Sequence, residues 1–129
     1  MSNAPTVLFG LEPLVRAVVR SSTSATATAV TADDSGTLFV DLSASTHYYT
    51  LPSVADCKGK CFIFMKCADA NMVIGGGTVD LIMADGCLLA DTITYSTASH
   101  KAGSACLVIG DGTYFYLINI GGTTLGGSG

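Results

Sequence analysis

The sequence predicts an all-β fold, a single antiparallel β-sandwich or jelly-roll-like domain with an extended N-terminal arm. Three observations lead there. Short runs of alternating apolar and polar residues recur about every 8–12 residues with turn residues between them. Two of these runs, SACLVI and TYFYLIN, flank Gly110-Asp111-Gly112, which is a strong hairpin signal. The length, 129 residues, suits one domain that needs no metal or disulfide to hold its core.

In chain order, residues 1–30 read as the arm. Leu11, Leu14, Val15 and Val18 fit a helical spacing, but the same stretch also alternates as a strand, and its β-branched residues favour the extended form. The following SSTSATATAV lacks bulky apolar content and suits an arm or an edge strand. Residues 31–120 form the predicted β-domain. DDSG turns into the strand TLFVDL, YYTLP runs into a proline loop, and KCFIFMKC is a longer strand. NMVI and VDLIM flank the glycines 75–77, and DTITY follows the turn Asp85-Gly86. Residues 121–129, GGTTLGGSG, carry too little side-chain surface to pack and read as a flexible tail.

The strand KCFIFMKC is apolar on both sides. Alternation places Phe62 and Phe64 on one face and Cys61, Ile63 and Met65 on the other. A strand of an isolated antiparallel sandwich usually has one wet face. Only 12% of the chain is charged while 49% is hydrophobic, so few groups are available to cover a surface. Together these predict a homo-oligomer, a trimer by preference, with Cys61, Phe62, Ile63, Phe64 and Met65 as the core and subunit-interface strand.

Charge and hydropathy speak against several function classes. The net charge is −4 and the six Lys and Arg are scattered, so no footprint for a phosphate backbone is present and no nucleic-acid partner is expected. No apolar run reaches the ~18 residues of a membrane span, and none is expected to enter a membrane. The N-terminus lacks the basic head and clean apolar stretch of a signal peptide. Five cysteines, an odd number, cannot all pair internally and fit a reducing compartment.

Three cysteines fall within Thr50 to Cys67, which raises the question of a metal. On a strand, Cys61 and Cys67 would lie about 20 Å apart, too far for Zn–S bonds of ~2.3 Å to one ion. The cysteines therefore read as small buried hydrophobes. A Cys57–Cys61 disulfide is sterically conceivable across the Lys58-Gly59 turn, but the compartment disfavours it. His47 and His100 lie in Ser/Thr-rich contexts and read as exposed loop residues, without the nucleophile–base arrangement of a catalytic triad. The carboxylates Asp33, Asp34, Asp56, Asp85 and Asp111 sit where turns require them. No cofactor, metal or catalytic group is expected, and the protein is not expected to be an enzyme.

The order DDSGTLFVDL, YTLPS, KGKCFIFMK, closing on GSACLVIGDGTYFYL, resembles the β-domains of tailed-bacteriophage virion proteins, most of all head decoration (cement) proteins. The resemblance covers roughly Asp33 to Ile120. It implies that Pro52 and Gly59 shape turns, that Phe62, Phe64, Phe115 and Leu117 fill the core, and that no catalytic residues are present. It further implies a chain made in the host cytoplasm that joins the outer surface of the capsid. Its partners would be further copies of itself and the major capsid protein, the latter contacted by Leu14, Val15, Arg16, Val18 and Arg20 of the arm. Tail-fibre and tailspike tips use similar modules, so a receptor- or glycan-binding role is the alternative.

Overall fold

The computed structural model describes residues 18–24, 26–76, 81–84 and 87–121. These residues form strands β1 (Val18–Ser22), β2 (Thr28–Ala29), β3 (Thr37–Asp41), β4 (His47–Thr50), β5 (Cys61–Lys66) and β6 (Met72–Gly75). They are followed by β7 (Ile82–Ala84), β8 (Cys87–Ala90), β9 (Thr92–Tyr95), β10 (Ala105–Gly110) and β11 (Phe115–Gly121). Two short 3₁₀ turns, Ala32–Asp34 and Val54–Asp56, are the only helical segments among the described residues. The fold is all-β.

The expected antiparallel arrangement does not hold. The strands form two mixed sheets, one of seven in the order β1-β3-β5-β10-β11-β7-β8 and one of four in the order β2-β4-β6-β9. From β1 to β6 the chain alternates between the sheets, so β1, β3 and β5 lie side by side in parallel, and so do β2, β4 and β6. Val18 lies beside Thr37 and Leu38 beside Ile63, and each circuit of the chain adds one strand to each sheet. Parallel neighbours need a crossover connection. Here each sheet's strand serves as the crossover of the other. The chain then reverses. β9 closes the small sheet against β6, and the predicted β10–β11 hairpin fills the space between β5 and β7, each antiparallel to its first neighbour.

Within residues 18–30, for which the sequence allowed an arm or an edge strand, the described residues form the edge strands of the two sheets. The segment assigned to the arm supplies β1 and β2, the first circuit of the coil. β1 takes few bulky residues because it is a sheet edge, with the core on one side only. Arg20 lies over the Phe39 ring, 5.2 Å from its centre, and pairs with Asp34 at 3.2 Å while its side chain stays about half exposed. Val18 remains exposed on the same strand. Leu14, Val15 and Arg16 lie outside the described residues.

The two sheets share one core. Phe39 and Phe64 of the large sheet stack at 5.2 Å, and Tyr49 of the small sheet meets them at 5.6 and 5.0 Å. Phe62, Phe115 and Leu117 are buried with them, where the resemblance placed them. Lys58-Gly59 forms the tight turn into β5. Gly59 sits at φ 74, a backbone state in which a side chain is strained.

Candidate functional site

Strand alternation and register together build an outward face on the large sheet. Because Phe39, Phe62, Phe64, Val108 and Leu117 point inward, their neighbours in sequence point out. Register aligns these neighbours in rows across the strands. Val19, Leu38, Ile63, Leu107 and Ile118 make one unbroken row over five strands. Val40, Met65 and Ala105 form a row on one side of it, and Cys61, Ile109, Tyr116 and Met83 form a row on the other. No member of the three rows is charged. Exposure is greatest at the two margins, with Val19 at 61% on β1 and Ile118 at 51% on β11, while Leu38, Ile63 and Leu107 are half-buried by their neighbours.

Of the interface strand proposed from sequence, Phe62 and Phe64 belong to the core, Cys61 is buried on the outer side, and Ile63 and Met65 are half-buried in the outward rows. The strand is apolar on both faces, as its alternation predicted. One face meets the small sheet. The other carries the outward rows, in which Cys61 and Ala105 are buried.

The charged side chains lie off these rows, although the Asp111 carboxylate accepts a hydrogen bond from the Tyr116 hydroxyl at 2.7 Å beside one of them. Asp33, Asp34, Asp56, Asp91, Lys101 and Asp111 sit in the connections, and two others are inside. Asp41 and Lys66 occupy paired register positions on β3 and β5, face inward and are both fully buried. Lys66 donates from Nζ to Ala68 O at 2.8 Å, and the Ser43 amide donates to Asp41 Oδ1 at 2.9 Å. Burial raises the Asp41 pKa, opposed in decreasing order by the Ser43 amide, His47 and Lys66. Burial, reinforced by the Asp41 charge, raises the Tyr49 pKa as well.

The sign of the Asp41 shift gives a testable result. A carboxyl whose folded pKa exceeds its unfolded value contributes stability that is fully present below the unfolded value and is lost as pH rises through the folded one. Relative to Asp41→Asn, which stays uncharged, the wild-type protein should therefore gain stability as pH falls from neutrality through the carboxylate range. Paired thermal melts between neutral pH and pH 3 measure this. A gap that stays constant or moves the other way would contradict the buried placement of Asp41.

His47 also departs from expectation. It opens β4 and is fully buried, not exposed in a loop. Its Nδ1 donates to Ser24 O at 2.7 Å, and Thr28 Oγ1 lies 2.8 Å from Nε2. With both ring nitrogens engaged, the side chain ties the loop before β2 to the small sheet. The run HYYT held the signal, because His47 and Tyr49 share the parity of a buried strand face. His100 is half-buried, with its ring 4.9 Å from that of Tyr95. These two, with Leu117 and Asn119, line an open groove of about 270 Å³ beside β9. Tyr95 donates its hydroxyl to Asn119 Oδ1 there at 2.9 Å.

Cys57, Cys67 and Cys106 are free thiols. Burial raises the pKa of Cys57, with Asp56 adding to the effect, and that of Cys67, with Asp41 adding to it. Cys106 is pushed up to about 12 by burial. A thiol held protonated is a poor nucleophile and a poor metal ligand. No group of three or more His, Cys, Asp or Glu with metal-binding geometry occurs among the described residues. No protein-family model matches the chain, and neither a curated protein nor a solved structure matches it.

Proposed function

We propose that the protein is a non-enzymatic structural component of a tailed-bacteriophage virion, a decoration protein that joins the outer surface of the head as a homotrimer and stabilises it. In this reading the two sheets act as a β-sandwich, in which parallel circuits replace the antiparallel jelly-roll order. The observation that carries the proposal is the uncharged outward face of the large sheet. A face of this kind is costly in water and becomes useful when protein covers it. Many modest contacts repeated by symmetry would then stiffen a shell.

The groove beside Tyr95 and His100 favours one alternative. An aromatic ring, an imidazole and an amide around an open depression suit a polar ligand such as a glycan, which is the chemistry of a fibre-tip module. Sedimentation separates the two readings. Purified protein mixed with mature capsids of the phage that encodes it should pellet with them at a fixed ratio. Binding to host cells or glycans without binding to capsids would replace the decoration reading with the fibre reading.

A further inference from the structure

We infer that the groove beside β9 binds an uncharged N-acetylated sugar and holds it by the acetamido group. The inference rests on the glycan reading of this groove, names the part of the sugar that is selected, and does not depend on capsid binding. Two polar side chains at the groove are each fixed in a way that leaves a hydrogen-bond donor open. Asn119 accepts the Tyr95 hydroxyl on Oδ1 at 2.9 Å. That bond sets the amide orientation, so the Nδ2 amino group of this exposed residue keeps its hydrogens to give. His100 holds Nδ1 enclosed and without a hydrogen-bond partner. Orphaned buried N–H groups are rarer than under-satisfied acceptors. The proton of the neutral ring is therefore assigned to Nε2, on the accessible edge of the half-buried side chain.

The rest of the lining sets the other half of the ligand. Ala84, Ile93 and Leu117 form an apolar wall, and the lining holds no carboxylate, lysine or arginine. An anionic ligand would find no fixed cation here, and a cationic one no carboxylate. An acetamido group matches both features. Its carbonyl oxygen has two lone pairs for the Asn119 and His100 donors, and its methyl group belongs against the apolar wall. A plain sugar hydroxyl brings no methyl, and it brings a hydrogen that neither donor can accept. The volume, about 270 Å³, falls just below the usual range of small-ligand sites and suits one sugar ring. Acetylated lysine carries the same group on a flexible alkyl stem. A stem of that kind needs an enclosed channel, and this groove is open along its side.

The test is an NMR titration of the full chain with methyl N-acetyl-β-glucosaminide, run beside methyl β-glucoside and Nε-acetyl-lysine amide. The acetamido sugar should move the Asn119 side-chain amide and the His100 ring signals and saturate in the millimolar range, as a small neutral ligand does. The glucoside should bind about tenfold more weakly, having lost one methyl contact and one hydrogen bond. Asn119→Asp keeps an acceptor for Tyr95 and removes the donor. His100→Phe keeps a ring against Tyr95 and removes the Nε2 hydrogen. Each should weaken binding of the acetamido sugar about tenfold, with signals away from the groove unchanged. Tyr48→Asp, on the outward side of the small sheet at 50% exposure, should bind as the wild type does. If one groove variant fails to fold, the other decides alone. Equal affinity for the two sugars, or folded groove variants that bind as the wild type does, would overturn the acetamido assignment. Glucoside binding at the groove would in that case leave the glycan reading standing. Preference for acetyl-lysine would overturn the sugar as ligand. If neither sugar moves a groove signal, the inference and the glycan reading fall together.

Discussion

Alanine at position 110 is expected to cost about 3 kcal/mol, at the upper end of what overpacking a tight site costs. A Cβ on Gly110 would run into the Cys57 carbonyl oxygen and stand 2.8 Å from Cys57 Cβ. Neither atom is the flexible end of a side chain. The Cys57 loop is also clamped to β10 from several directions. Gly59 N–H donates to Gly110 O at 2.9 Å, Gly110 N–H donates to Lys60 O at 3.0 Å, and Lys60 N–H donates to Cys57 O at 3.0 Å. Relieving the clash means giving up part of this set, at ~1 kcal/mol for each hydrogen bond. A urea titration should show the midpoint falling, and for a chain of this size the melting temperature should drop by about 10 °C. Gly121→Ala is the control, since nothing lies within 4 Å of its added methyl group. If Gly110→Ala stays within about 0.5 kcal/mol of wild type, the close approach of the two backbones is not what holds this corner.

Phe64→Ala should be the most damaging core substitution, costing about 3–5 kcal/mol. Its ring is fully buried between Phe39 at 5.2 Å and Tyr49 at 5.0 Å, so it joins strands of both sheets. The loss combines transfer energy, a cavity bounded by stiff strands, and two ring contacts of ~0.5–1.5 kcal/mol each. Phe64→Leu keeps most of the volume and should cost much less. Combining Phe39→Leu with Phe64→Leu should show a coupling of about 1 kcal/mol between the stacked rings. Additive losses in that cycle would show that the stacking contributes nothing beyond burial.

The sequence made the strands legible, and with them the faces of β5, because alternation is a local property with period two. Phe62 and Phe64 were assignable to one side and Ile63 and Met65 to the other before any neighbour was known. The β10–β11 hairpin was equally legible, since Gly110-Asp111-Gly112 specifies its turn within three residues. The parallel coil left no such mark. Alternation says which side of a strand is dry but not which strand lies beside it, and Val18 meets Thr37 through a partner in the other sheet. β1 therefore looked like a loose arm, because an edge strand needs few large residues. β8 escaped notice behind the turn signal at Asp85-Gly86, and Leu89 within it sits at φ 57, outside any strand pattern.

The buried polar groups were hidden for a different reason. Lys66 belongs to a residue type that almost never goes inside unless paired, and His47 to one of intermediate burial; only the register that sets Lys66 beside Asp41 explains its place. The outward face was legible in part. Ile63 and Met65 announced an apolar second side to one strand, but its continuation through Val19, Leu38, Leu107 and Ile118 required the strand order.

That strand order also sets a sequence of events during synthesis. β5 lies between β3, which precedes it, and β10, which begins only at Ala105. At ~5–20 residues per second, the central strand waits several seconds beside one partner before the other leaves the ribosome. Through that interval the Cys61–Lys66 backbone presents an unpaired edge flanked by apolar side chains on both sides. The nascent chain is most vulnerable to misassociation in that window, and truncations ending before Ala105 should aggregate where chains that run through Gly121 fold.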